Sequence, residues 1–195
     1  VEDRNGNRLR FGYDASGALV AVEDSVGCRI DLRCDDRGRI VQVLGPRPGR
    51  PGQQMILASY RYDEAGHLVE ASDGLGNPIR YRYDDQRRLV QETDRFGLSF
   101  HFEYEGEGPS SRCTRTWGDG GVYERHLRYD TVLRTTTVTD TRGGETLYGW
   151  NDLGLVEREV DPHGGERLTE FDEHGRRLST TDPLGATTSW SYDDR

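Results

Sequence analysis

The sequence contains no lysine; all 26 of its basic residues are arginine. A GC-rich bacterial genome explains that bias without an electrostatic argument. Cysteine is scarce, with Cys28, Cys34 and Cys113 only, and an odd count of three is a poor disulfide framework. Cys28 and Cys34 are expected on one strand, about 20 Å apart at strand rise, too far to bond. Reduced thiols are therefore expected. Apolar residues make up 32% of the chain, against 31% charged, which is lean for a compact core. An extended array, in which each unit buries a modest face on its neighbours, suits that balance better. No segment approaches 18 apolar residues, so no membrane-spanning helix is expected. The net charge of -9 disfavours nonspecific binding to nucleic acid or to an acidic membrane. There is no H-E-x-x-H, C-x-x-C, P-loop or G-x-S-x-G pattern. Acidic pairs such as Asp35/Asp36, Asp84/Asp85 and Asp193/Asp194 are sequence neighbours that point to different strand faces, a poor glycosidase arrangement. No catalytic residue, cofactor or metal site is expected.

What the chain does have is repetition. Asp14 is followed 21 residues later by Asp35, and Asp63 by Asp84. Glu105, Asp130, Asn151, Asp172 and Asp193 continue the series, and a glycine follows three residues later in most units: Gly17, Gly38, Gly66, Gly108, Gly154 and Gly175. Arg87 and Leu133 stand in that slot in two others. A second D-x-x-G follows at Asp24, Asp73, Asp94, Asp140, Asp161 and Asp182, with a partial copy at Asp3. Each unit of about 21 residues thus holds two short strands and two turns, the signature of a repeat array. About nine units span 1–195 as one expected array. Val1-Glu2-Asp3 already lies inside a repeat and no signal-peptide pattern precedes it, so a piece of a longer chain is expected.

The strand assignment can be tested by faces. The residue before each first-turn Asp, Asn or Glu is Tyr13, Cys34, Tyr62, Tyr83, Tyr104, Tyr129, Trp150, Phe171 or Tyr192. The residue before that one is never large and apolar. In Ile79-Arg80-Tyr81-Arg82-Tyr83-Asp84 the alternation is complete, and turns every ten or eleven residues exclude helix. The aromatics are expected to pack in cross-strand ladders. Leu19, Leu68 and Leu89 open the second strands, while Thr135 and Arg177 mark weaker units. Asp supplies acceptors to backbone N–H groups in the turn, and Gly supplies positive φ. Calcium is the functional alternative for such carboxylates, but the nonapeptide pattern G-G-x-G-x-D is absent.

Two insertions interrupt the period, near 45–52 and near 109–112. The first carries Gly45-Pro46-Arg47-Pro48-Gly49-Arg50-Pro51-Gly52 and is expected as a protruding loop at one rim. His67, His163 and His174 fall in or beside turns. His101 and His126 lie on the polar strand face one unit apart, where solvated surface histidines are weighed against a two-histidine metal site.

The motif Tyr-Asp-x-x-Gly-x-Leu followed by Asp-x-x-Gly resembles the YD repeat of the Rhs family. Tyr13-Asp14-Ala15-Ser16-Gly17-Ala18-Leu19 and Tyr62-Asp63-Glu64-Ala65-Gly66-His67-Leu68 match it outright. Cys34-Asp35-Asp36-Arg37-Gly38 and Phe171-Asp172-Glu173-His174-Gly175 are close variants, and the likeness runs through essentially the whole chain. Related repeats occur in shell-forming components of insecticidal Tc toxins and in teneurins. The resemblance implies an all-β fold: hairpin repeats forming a curved, spiralling antiparallel sheet, a segment of a hollow shell. It implies a structural wall around a C-terminal toxin domain, delivered by type VI secretion in competition between bacteria. Its partners would be the rest of the shell, the enclosed toxin, secretion spike components, and further copies paired through open strand edges. Its location would be the bacterial cytoplasm before export, then a target cell. The alternative is a carbohydrate- or protein-binding adhesion module built of similar repeats. Asp182-Pro183-Leu184-Gly185 resembles a family cleavage motif but sits in phase as an ordinary second turn, so no proteolytic role is assigned to it.

Overall fold

The computed structural model describes residues 1–193 and is all-β there, apart from single 3-10 turns at Gly108–Ser110 and Asp119–Gly121. It divides into two units, Val1–Ser99 and Phe100–Arg195. The first contains β1 (Leu9–Tyr13), β2 (Leu19–Asp24), β3 (Arg29–Cys34), β4 (Ile40–Pro46), β5 (Gln54–Tyr62), β6 (Leu68–Asp73), β7 (Pro78–Tyr83) and β8 (Leu89–Thr93). The second contains nearly all of β9 (Ser99–Glu105), then β10 (Arg112–Gly118), β11 (Arg125–Asp130), β12 (Thr135–Asp140), β13 (Glu145–Trp150), β14 (Val156–Val160), β15 (Glu166–Phe171), β16 (Arg177–Thr181) and β17 (Thr187–Ser189). Within each unit every strand pairs antiparallel with the next one in the chain. At the front, Glu2 makes only an isolated bridge to Arg8.

The pattern of exposure follows the predicted faces. In β7, Ile79, Tyr81 and Tyr83 are half-buried, and Arg80 and Arg82 are exposed. Half-burial is the rule because each unit is a single layer. Ala21 and Leu44, 4% and 6% exposed, are the only buried hydrophobic side chains among the described residues. Two separate compact globules of half this mass would expose about 11,000 Å² in total. The chain exposes 13845 Å², so it lacks a conventional interior. The aromatic ladder is therefore a covering of one face. Tyr13 is 62% exposed: among the described residues, no earlier first turn lies beside it as Ile40 lies beside Tyr62.

The turns are uniform. At Asp14, the Gly17 N–H donates to the Asp14 carbonyl and the Asp14 N–H donates to the Ala18 carbonyl. This is a type I turn followed by a left-handed residue, a three-residue hairpin loop with a bulge. The same two bonds close the turns at Asp3, Asp24, Asp35, Asp63, Asp73, Asp84, Asp94, Asp140, Asn151, Asp161, Asp172 and Asp182. The Asp182 turn confirms that Asp182-Pro183-Leu184-Gly185 is built like its counterparts. Arg87 takes the left-handed position, φ 64°, where other units have glycine. The turn at Asp130 departs from expectation. Asp130 pairs directly with Thr135 across a four-residue loop, and the positive φ falls on Arg134 at 54°, not on Leu133. One extra residue moves the reversal along the chain.

A bulge beside the turn recurs in six hairpins. Tyr83 pairs with Leu89 and Arg82 with Gln91, so Val90 is skipped. Val20, Val41, Val69, Glu157 and Leu178 are skipped in the same way beside Tyr13, Cys34, Tyr62, Trp150 and Phe171. The extra residue sharpens the local twist.

The first insertion becomes an extension of the β4–β5 hairpin. Pro46 pairs with Gln54, and two turns at Arg47–Arg50 and Arg50–Gln53 close the tip. The second lies around Gly108–Ser110.

Candidate functional site

Within each unit the repeated motif puts its chemistry on the rim where the first turns lie. The turn carboxylate has two separate tasks. In Asp35, Oδ1 accepts the backbone N–H groups of Arg37 at 3.0 Å and Arg39 at 2.9 Å. Oδ2 accepts the guanidinium Nε of Arg39 at 2.8 Å. That guanidinium then lies over the ring of Tyr62, 4.5 Å from its centroid. Tyr62 belongs to the next hairpin, and its hydroxyl donates to the carbonyl of Ile40, the first residue of β4, at 3.0 Å. One rung thus ties carboxylate, cation, aromatic ring and backbone across two consecutive hairpins.

The rung repeats. Asp63 Oδ2 lies 2.9 Å from His67 Nδ1, His67 stacks on Tyr83 with centroids 4.9 Å apart, and the Tyr83 hydroxyl donates to Leu68 at 3.0 Å. Asp172 holds Arg176 at 2.6 Å, Arg176 covers Tyr192 at 4.8 Å, and Tyr192 donates to Arg177 at 2.8 Å. In the irregular unit Arg112 covers Tyr129 at 4.9 Å, and Tyr129 donates to Cys113 at 2.7 Å. Cation–ring contacts of this kind supplement the hydrogen bonds.

These contacts set the carboxyl chemistry. The Arg39 guanidinium holds the Asp35 carboxyl below its usual range, and the His67 ring does the same for Asp63. Backbone N–H donation from Arg88, then the Arg88 side chain, lowers Asp84. In the second turns Asn77 lowers Asp73, while the N–H groups of Gly144 and Gly165 lower Asp140 and Asp161. Hydrogen bonds to the charged form favour it. These carboxylates are committed to their own turns.

The RHS Repeat family model matches residues 60–99 and 171–195. The "Probable deoxyribonuclease RhsB" of Dickeya dadantii is 30% identical over 194 residues, which is 100% of this chain and 13% of that protein. The "Toxin protein Tse5" of Pseudomonas aeruginosa is 29% identical over 162 residues, 82% of this chain and 10% of its own length. The chain belongs to the RHS-repeat family. It is also similar in fold to a solved TcdB2–TccC3 complex lacking its hypervariable C-terminal region, with a TM-score of 0.59 and 13% identity. That match covers 89% of this chain and 12% of the other. A Photorhabdus luminescens Tc holotoxin pore gives a TM-score of 0.58 over the same shares. The chain therefore spans about an eighth of the RhsB protein it matches.

Of the predicted repeat-motif residues, Asp14, Asp35, Asp63, Asp84 and Asp172 each open a turn, and Gly17, Gly38, Gly66, Gly154 and Gly175 each take its left-handed position. Leu19, Leu68 and Leu89 each pair with the motif tyrosine of their own hairpin. Trp150 and Phe171 hold the aromatic slot beside their bulges, and Asp130 opens the longer loop. Asp193 is the last described residue, so the turn expected from it lies outside the described chain.

Sequence reasoning missed the residue four places after the acid. Arg39, His67 and Arg176 connect one RHS repeat to the next, and only their spacing from the following tyrosine could have signalled it. His101 and His126 each bind a different carboxylate: His101 faces Asp119 at 2.9 Å and His126 faces Glu124 at 3.0 Å. The three cysteines are free; Cys28 is exposed in the loop before β3, which corrects its placement on the strand, and Cys34 ends β3.

Proposed function

We propose that this stretch is part of the wall of a shell that encloses a toxin domain carried elsewhere in a longer protein. The observation that carries the reading is the alignment along the whole chain with a far longer Rhs protein. The toxin name of a second relative and the fold likeness to a Tc complex support it. A single layer with hardly any interior suits a wall, whose use lies in excluding solvent and proteases from the space behind it. In this reading the turn carboxylates hold the hairpins in order and perform no chemistry on a substrate. Its partners are the remaining RHS repeats, through the open edges of the array, and the enclosed domain. Delivery would be by type VI secretion, from the bacterial cytoplasm into a competing cell.

Limited proteolysis of the longer protein tests this. The downstream domain should resist protease in the intact protein. It should become cleavable when residues 64–84, one complete repeat, are removed in phase. A downstream domain equally accessible in both proteins overturns the wall. Tight, selective binding of this stretch on a glycan array would favour an adhesion module instead.

A further inference from the structure

We infer that the Asp63–His67–Tyr83 rung is a proton-dependent clasp between two consecutive hairpins, closed when His67 carries a charge and loosened when it does not. The inference is independent of the wall reading. It rests on comparison within the molecule. Arg39 and Arg176 occupy the equivalent slot, each bound to the turn carboxylate and laid over the next tyrosine. Those two side chains are always charged. His67 makes the same two contacts, at 2.9 Å to Asp63 Oδ2 and 4.9 Å to the Tyr83 ring. Neutral imidazole can supply the Nδ1–H to Asp63 but not the positive charge for which the slot is shaped.

The surroundings decide the sign. On its own turn His67 faces Asp63, held ionised below the usual carboxylate range by the His67 ring. From β7 come Tyr81, Arg82 and Tyr83; burial raises both phenols, so they stay neutral. Asp84, Asp85 and Arg87 come from the following turn. From the preceding hairpin, Arg39 approaches Gly66. Asp84 is held by Arg88 and Arg82 reaches Gln91, which leaves Asp63 as the charged group in direct contact with His67. His67 Nε2 is buried with no hydrogen-bond partner among the described residues, as is Nη1 of Arg39, which is charged in the same slot. An unpartnered N–H there is evidently tolerated by the rung. The closed form therefore needs Asp63 ionised and His67 protonated. The clasp is lost as pH rises and His67 gives up its proton.

Hydrogen exchange read by mass spectrometry on the 195-residue chain tests this, with rates corrected for the intrinsic effect of pH. In the wild type, protection of segments 63–67 and 81–83 should fall roughly two- to fivefold between pH 5.5 and pH 7.5, the size expected of an exposed ion pair. His67→Arg should stay protected at both values, and His67→Gln should be open at both. A wild type with no such change, or a His67→Arg chain that keeps it, overturns the clasp. Should a variant fail to fold, ring nitrogen shifts of His67 in the wild type still decide: a ring that is neutral at pH 5.5 overturns it.

Discussion

Removing the hydroxyl of Tyr62 should weaken the molecule by a measurable and bounded amount. The hydroxyl donates to the Ile40 carbonyl at 3.0 Å, and Tyr83 does the same to Leu68 at 3.0 Å. Both tyrosines are half-buried. A hydrogen bond of this kind contributes about 0.5–1.5 kcal/mol net. Water can reach a half-exposed rim and take over the freed carbonyl, so the lower part of that range applies. Tyr62→Phe and Tyr83→Phe should each cost about 0.5–1 kcal/mol. Tyr62 pairs with Leu68, whose carbonyl takes the Tyr83 hydroxyl, so the two bonds couple and the double variant should depart from the summed cost by about 0.5 kcal/mol or more. Tyr62→Leu also loses the aromatic face under Arg39, 4.5 Å from the guanidinium, and part of the buried area. Its cost should be about 2 kcal/mol or more. Urea unfolding followed by far-ultraviolet circular dichroism measures all four, with the two units fitted as separate transitions. Two phenylalanine variants within about 0.2 kcal/mol of wild type would refute the hydroxyl's role. A Tyr62→Phe as damaging as Tyr62→Leu would refute the role of the ring.

Other perturbations separate the remaining contributions. Asp35→Asn keeps an acceptor for the Arg37 and Arg39 N–H groups, whereas Asp35→Ala loses it, so thermal melting should fall further for alanine than for asparagine. The turn carboxyls titrate below their unfolded values, so their stabilisation is complete above about pH 4 and is lost as pH falls through the lower folded values, which an acid titration by circular dichroism follows. Arg87 holds φ 64° at a cost that glycine avoids, so Arg87→Gly should stabilise by about 0.5–1 kcal/mol in urea unfolding, while Gly97→Ala, at φ 88°, should destabilise by about 1–2 kcal/mol. A Cβ on Gly74 would sit 2.8 Å from the Ile56 carbonyl oxygen, which cannot swing away, whereas one on Gly45 would meet the mobile end of Leu57. Gly74→Ala should therefore cost about 1–3 kcal/mol and Gly45→Ala clearly less, again by urea unfolding.

Strand and turn were legible because each is written in local sequence. The alternation in Ile79–Tyr83 encodes a two-faced strand, and Asp-x-x-Gly encodes a turn whose acceptor and left-handed residue lie three apart. The bulges were not recognised, although they leave a trace. Leu19-Val20, Ile40-Val41, Leu68-Val69 and Leu89-Val90 are adjacent apolar pairs, which strict alternation forbids and a skipped residue permits. The Asp130 loop misled because Leu133 keeps the glycine spacing while Arg134 makes the reversal. The rungs were hidden for another reason: their members sit in different repeats, and no single copy of the motif contains one.

Once the rung is the unit of comparison, the irregular copies become consistent. Asp35, Arg39 and Tyr62 form one set; Asp172, Arg176 and Tyr192 form another. Where the acid is replaced by Asn151, the residue four places on is Leu155 and the next aromatic is Phe171, which has no hydroxyl. Where the residue after the turn is Ala18, the next aromatic slot holds Cys34. Cation and phenol disappear together, while Asp14 keeps its carboxylate for the Ser16 and Ala18 N–H groups of its own turn, because a phenol without its carbonyl would leave a polar group at a half-buried rim with less to bind. The rung also explains where the chain tolerates insertion. Tyr83 follows Asp63 by 20 residues and Tyr62 follows Asp35 by 27, yet both complete the same contacts. The additional residues lengthen β4 and β5 and enlarge the 47–53 tip between them, at the ends of the strands away from the rung. Extra length on that rim lengthens a hairpin and leaves strand order and rung geometry unchanged. The same length placed between Asp35 and Ile40 would separate the carboxylate from the cation it holds.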